Sequence, residues 1–175
     1  MQPNLVNSMP RYLYLLRHAE STEKQPGESD KERDLTPVGV REALLIGNYL
    51  LKENTSFDQV LSSPAQRADA TARLIADAMK FDAERISKQE ALYEASTRTL
   101  FQFILQLDDQ CQTVLCIGHN PSISYLAESV TKAEIGDMPS GGLAIIKFNI
   151  HSWKEVSQGN GELQNFIYPK MLGGE

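Results

Sequence analysis

An α/β fold, with a mostly parallel central sheet and helices on both faces, follows from three features of the sequence. The apolar runs Leu13-Tyr14-Leu15-Leu16 and Val114-Leu115-Cys116-Ile117 are continuous rather than alternating, as strands buried on both faces require. A polar residue followed by proline, in Thr36-Pro37, Ser63-Pro64 and Asn120-Pro121, recurs where loops give way to helical periodicity. Strand-like and helix-like segments alternate along the chain, the order that parallel strands joined by crossover helices produce.

The first strand carries Leu13–Leu16 and ends in Arg17-His18, with small and hydroxyl residues after it. Residues 20–34 are rich in charge, contain Pro26-Gly27 and show no apolar period. They read as a solvated loop in which Arg33 is the one cation kept as a rim contact. Thr36 caps a helix that opens at Pro37 and runs to about Asn54, with Leu44, Leu45, Tyr49 and Leu51 as its apolar stripe.

A second strand, Phe57–Leu61, leads to a second helix capped by Ser63, opening at Pro64 and ending near Met79. Arg67 falls in its first turn, where the helix dipole disfavours a cation. Two readings of it stand: a clamp on an anion held at the helix N-terminus, or a solvent-facing arginine. A short strand at Arg85–Ser87 precedes Tyr93-Glu94. A helix then starts at Ser96 or Thr97, with Leu100, Phe103, Ile104 and Leu107 on one face.

The strand Thr113–Ile117 breaks at Gly118-His119-Asn120-Pro121, with Asn120 as the cap of the next helix. The Met138–Gly142 loop feeds a fifth strand, Leu143–Ile150. His151 reads as a surface histidine and Trp153 as a packing residue. Gly159-Asn160-Gly161 is a turn that returns Leu163–Tyr168 as an edge strand before Pro169.

With 175 residues, one domain is expected over 11–170, with tails at 1–10 and 171–175. A net charge of −6 argues against a nucleic-acid partner, which calls for a basic field. Cys111 and Cys116 form neither a disulfide framework nor half of a metal site, and Cys116 reads as a small buried hydrophobe. No secretory pattern and no run of membrane-spanning length is visible, so a cytoplasmic protein without a membrane partner is expected.

In a parallel sheet the carboxyl ends of the strands share one edge, and ligands bind there. Arg17 and His18, Arg67, Glu94 and His119 each follow a different strand. Two arginines, two histidines and two helix N-termini make an anion pocket on an otherwise acidic chain. The set suits phosphoryl transfer, with imidazole as nucleophile and guanidinium groups stabilising the equatorial oxygens. No metal-ligand set accompanies it, so no cofactor is expected.

The segments Leu16-Arg17-His18-Ala19-Glu20-Ser21, Ser62-Ser63-Pro64-Ala65-Gln66-Arg67-Ala68 with Thr71-Ala72, Tyr93-Glu94 and Gly118-His119-Asn120-Pro121 resemble the histidine phosphatase (phosphoglycerate mutase-like) superfamily. The short chain, the Gly-His-Asn-Pro form and Trp153 most resemble its SixA-like phosphohistidine phosphatase branch. The resemblance implies a three-layer αβα sandwich and a metal-independent phosphatase. Its substrate would be a phosphoramidate, such as phosphohistidine on a protein, or a phosphomonoester.

It also implies that His18 is the phosphorylated nucleophile, that Arg17, Arg67 and His119 hold the phosphoryl group, and that Glu94 occupies the proton donor's position. Ser21 and Asn120 add hydrogen bonds at the rim. Ala19 departs from the glycine usual in the wider superfamily, and the SixA-like branch keeps no clear general acid. A mutase is disfavoured because the chain lacks long insertions that could shield a phosphoenzyme from water. The alternatives are a small-molecule phosphatase, acting on a sugar phosphate or nucleotide, and a non-enzymatic phospho-ligand-binding module.

Overall fold

The computed structural model describes residues 9–173, so most of the expected N-terminal tail (1–8) and the last two residues lie outside it. The ten main elements are β1 (Arg11–Arg17), α1 (Pro37–Lys52), β2 (Gln59–Ser62), α2 (Gln66–Met79), β3 (Ile86–Lys88), α3 (Thr97–Ile104), β4 (Thr113–Gly118), α4 (Ser122–Thr131), β5 (Leu143–Phe148) and β6 (Gly161–Ile167). Six strands form one sheet in the order β3-β2-β4-β1-β5-β6. The first four of these are mutually parallel, while β5 and then β6 add antiparallel at one side.

The continuous apolar runs are explained by a core on each face of the sheet. Leu13, Leu15, Val114 and Cys116 point to one side, where Leu100 and Ile104 of α3 and Ile123, Leu126 and Val130 of α4 meet them. Their sequence neighbours Tyr14, Leu16, Leu115 and Ile117 point to the other, against Ile46 and Leu50 of α1 and Ala68, Ala72 and Ile75 of α2. Because strand side chains alternate in direction, a strand covered on both faces must be apolar at every position. The result is the three-layer αβα sandwich that the sequence predicts.

Several details differ from expectation. The buried face of α1 is Gly39, Ala43, Ile46, Gly47 and Leu50, not the stripe of Leu44, Leu45, Tyr49 and Leu51; Leu51 is exposed. Small residues win that face because α1 packs directly on α2. A Cβ at Gly47 would press on Ala78 Cβ at 2.7 Å. The α2 helix begins at Gln66 with Ala65 as N-cap, two residues later than expected, and α4 begins at Ser122 after a cis Asn120-Pro121 peptide. Ser63 and Asn120 are therefore not the caps of these helices, and their side chains serve the site described below. Thr36 does cap α1, accepting from Gly39 N at 3.0 Å, and Ser96 caps α3. Trp153 is fully buried at the far end of the sheet, and its Nε1–H donates to the Cys111 carbonyl at 2.8 Å.

Strand register brings the site to one level. Arg17 of β1 lies beside Gly118 of β4, and Ser62 of β2 beside Ile117. Past the strand ends, His18 N donates to Gly118 O and Ser63 N to Ile117 O. Because β5 runs antiparallel, the Met138–Gly142 loop that precedes it closes the same edge, with Arg17 N donating to Gly142 O.

Candidate active site

A pocket of about 520 Å³ opens at this edge, lined by Arg17, His18, Glu20, Ser21, Asp30, Arg33, Arg67, Tyr93, Glu94, His119, Asn120 and Ser140. All seven residues singled out in the sequence line it. A larger cleft lies between α1 and the C-terminal turn, beside Val38, Leu45 and Pro169, but it contains none of the histidines.

The imidazole of His18 is buried, and its two nitrogens are distinguished by their neighbours. Nδ1 lies 2.7 Å from the Ala19 carbonyl, an acceptor only, so Nδ1 carries the proton. Nε2 faces the Nε–H of Arg67 at 3.3 Å, a donor only, so Nε2 presents its lone pair. The Ala19 methyl is fully buried without conflict, and Ala19 N donates to Thr71 Oγ1 at 3.1 Å.

His119 is fixed by the same logic. Its Nδ1 receives Arg67 Nη2–H at 3.4 Å, so Nε2–H donates to Ser63 Oγ at 2.7 Å. The two imidazole centroids are 5.0 Å apart, with Arg67 bonded to both rings. Burial, reinforced by neighbouring cationic groups, pushes His18 down to about 4 and His119 to about 3. Both rings are therefore neutral near pH 7, which leaves the His18 Nε2 lone pair available.

Arg67 is buried, so of its two readings the solvent-facing one is excluded. Arg17 donates through Nη1 to the Met138 carbonyl at 2.6 Å, while its buried Nε–H has no acceptor among the described residues. The Asn120 amide is committed internally. Its NH₂ donates to Asp137 Oδ1 and to Met138 O, and its oxygen accepts from Ser124. It thus anchors the carbonyl that holds Arg17. Ser21 Oγ accepts from Arg33 Nη2 at 3.0 Å, and Glu94 stands exposed at the rim with a left-handed φ of 49°.

The sequence reading missed Asp30. The loop 20–34 is not simply solvated: a 3₁₀ turn at Asp30–Glu32 carries the Asp30 carboxylate to the pocket. Oδ2 accepts from Arg67 Nη2 at 2.9 Å and from the Tyr93 hydroxyl at 2.8 Å, and Oδ1 accepts from Arg33 Nη1 at 3.0 Å. Desolvation alone would raise this carboxyl, but these hydrogen bonds hold it well below the ordinary carboxylate range. No local signal marks Asp30 among the other acids of an aperiodic loop. Ser63 was also missed as a partner of His119, since Ser-Pro reads as a helix start.

Among the described residues, no group of three or more His, Cys, Asp or Glu side chains is placed to hold a metal ion. No helix among them is long and apolar enough to cross a membrane.

Comparison with known proteins accords with this geometry. Residues 13–100 match the sequence model of the histidine phosphatase superfamily (branch 1). An uncharacterized protein of Mycobacterium tuberculosis is 34% identical over 166 residues, covering 89% of this chain and all of the relative. Phosphohistidine phosphatase SixA of Escherichia coli K12 is 24% identical over 127 residues, covering 72% and 78% of the two chains. The solved structure of the protein histidine phosphatase SixA complexed with tungstate superposes with a TM-score of 0.78 at 22% identity, covering 92% of this chain and 99% of that one. The chain therefore belongs to the histidine phosphatase superfamily, and its fold is similar to that of SixA.

Proposed function

We propose that this protein is a metal-independent phosphatase that removes a phosphoryl group from phosphohistidine on a protein, through a covalent phosphohistidine of its own at His18 Nε2. The observation that carries this reading is the unprotonated Nε2 of a neutral, buried imidazole, accepting from Arg67 Nε–H at 3.3 Å, with a second imidazole centred 5.0 Å away.

In the first step the Nε2 lone pair attacks phosphorus as the P–N bond of the substrate breaks. The bonding pair goes to the leaving imidazole, which is already protonated on its other nitrogen and departs neutral. In the second step a water oxygen attacks phosphorus and the Nε2–P bond breaks. Phosphate leaves, and His18 returns to its starting tautomer. Arg17, Arg67 and His119 hold the equatorial oxygens, His119 as the tautomer with its proton on Nδ1 and the Ser63 hydroxyl donating to Nε2; each well-placed donor contributes about 3 kcal/mol to transition-state stabilisation. Glu94 supplies a proton only where the leaving group is an ester oxygen, which is a poorer leaving group than a protonated imidazole.

A rim that is open rather than capped admits a protein side chain, and the tungstate bound by the SixA relative is a phosphate-shaped anion. Free thiols at both Cys111 and Cys116 accord with a cytoplasmic setting.

The test is turnover of a phosphohistidine protein and of a chromogenic aryl phosphate in the presence of a chelator. Acid-labile labelling is expected in the wild type and absent in His18→Ala. Glu94→Gln should slow the aryl phosphate and spare the phosphohistidine protein. Activity surviving in His18→Ala would end the proposal. Tight phosphate binding with no turnover on either substrate would favour a binding module instead.

A further inference from the structure

We propose that Asp30 is a positioning residue: it braces Arg67 and keeps that guanidinium aimed at the reacting atoms while the phosphoryl group is bound. The inference rests on the function proposed above and concerns how one of its donors is held. A carboxylate inside a phosphate pocket weakens anion binding by charge alone, so its presence calls for a compensating role.

The partners of Arg67 supply that role. Four of its five N–H groups are engaged by neighbouring residues. Nε–H goes to His18 Nε2, and one Nη2–H goes to His119 Nδ1. The other Nη2–H goes to Asp30 Oδ2 at 2.9 Å, and Nη1–H goes to the Asp30 carbonyl at 2.7 Å. Once Nε2 is bonded to phosphorus it has no lone pair for Arg67. A His119 that donates to a phosphoryl oxygen through Nδ1 has none either. Both histidine bonds are therefore lost on catalysis, and only the two to Asp30 persist.

Asp30 is itself held firmly enough to serve. Arg33 grips Oδ1 while its own Nε–H is tied to the Thr22 carbonyl at 2.8 Å and its Nη2 to Ser21, and Tyr93 donates to Oδ2. The chain Ser21–Arg33–Asp30–Arg67 thus runs from the loop to the nucleophile. In this arrangement Ser21 and Arg33 act on the brace rather than on the substrate.

The experiment pairs kinetics with nitrogen-15 NMR of the Arg67 guanidinium in Asp30→Asn, with folding checked by the emission of Trp153. The side chain of Asp30 is 32% exposed on a surface loop, so the fold should survive. Restrained Nη resonances in the wild type should collapse to those of a freely rotating group in the variant. kcat should fall about 100-fold, the cost of a donor misplaced by about 1 Å, with KM within about threefold. Arg33→Gln, which leaves the Asp30–Arg67 pair but loosens Asp30, should lose about tenfold and decides the matter if Asp30→Asn does not fold. Unchanged guanidinium resonances, or wild-type kcat together with tighter tungstate binding, would overturn the proposal and leave Asp30 as a screening charge. If the wild type turns over no phosphorylated substrate, the proposed function fails, while the NMR comparison still decides whether Asp30 holds Arg67.

Discussion

Acidification should destabilise this protein through its two site histidines in a pH window above the one in which Asp30 titrates. Each imidazole is held neutral by burial, His18 to about 4 and His119 to about 3, whereas the unfolded chain protonates both near 6.5. Between those values the unfolded state binds more protons than the folded one, so stability falls as pH drops from about 6.5 towards 4. At a pH near 5 each histidine costs about 2 kcal/mol relative to neutral pH, about 4 kcal/mol for the two together. Asp30 has the opposite shift: its contribution is present above the ordinary aspartate range and is lost only at much lower pH. A comparison of pH 7 with pH 5 therefore leaves Asp30 out, and the difference between wild type and a His119 variant within that window isolates His119. The assay is urea unfolding followed by the emission of Trp153, the one tryptophan of the chain, for wild type and His119→Gln. The wild-type midpoint should drop sharply on acidification, and the variant should lose about half of that drop. An identical pH dependence in both proteins would refute the claim that His119 is buried neutral.

Further outcomes follow from single contacts. Ser63→Ala removes the acceptor of His119 Nε2–H, a buried donor worth about 1–3 kcal/mol when left unpaired. It should lower the unfolding free energy by that amount and alter the His119 nitrogen-15 shifts that report its tautomer. Gly39→Ala places a Cβ on the Glu20 carbonyl, two residues after His18. A loss of about 1–3 kcal/mol in urea unfolding and reduced activity are expected together. Trp153→Ala empties a large buried volume at the opposite end of the sheet, with an expected cost of about 3–5 kcal/mol by calorimetry. At temperatures where that variant stays folded, its activity per folded molecule should match the wild type.

What could be read from the sequence was what periodicity and topology control. Continuous apolar runs at β1 and β4 can only be strands covered on both faces, and parallel strands place their carboxyl ends together. Strand order alone therefore places Arg17, His18, Arg67 and His119 at one edge. The buried face of α1 went the other way: the bulkiest residues gave the wrong stripe, because close approach of α2 favours Ala43 and Gly47. Such proximity between helices is not encoded in either helix alone.

The sequence by itself thus determined the α/β architecture and the charged groups that follow its strands, because both rest on local patterns of hydrophobicity and on chain direction. Only the tertiary structure decided which proton each imidazole carries, that Ser63 and Asn120 serve the site rather than cap helices, and that Asp30 grips Arg67. Those facts depend on distances between residues far apart in the chain. The loop bearing Asp30 has no repeating pattern from which its path could be inferred, and its carboxylate finds its place only when Arg33, Arg67 and Tyr93 converge on it.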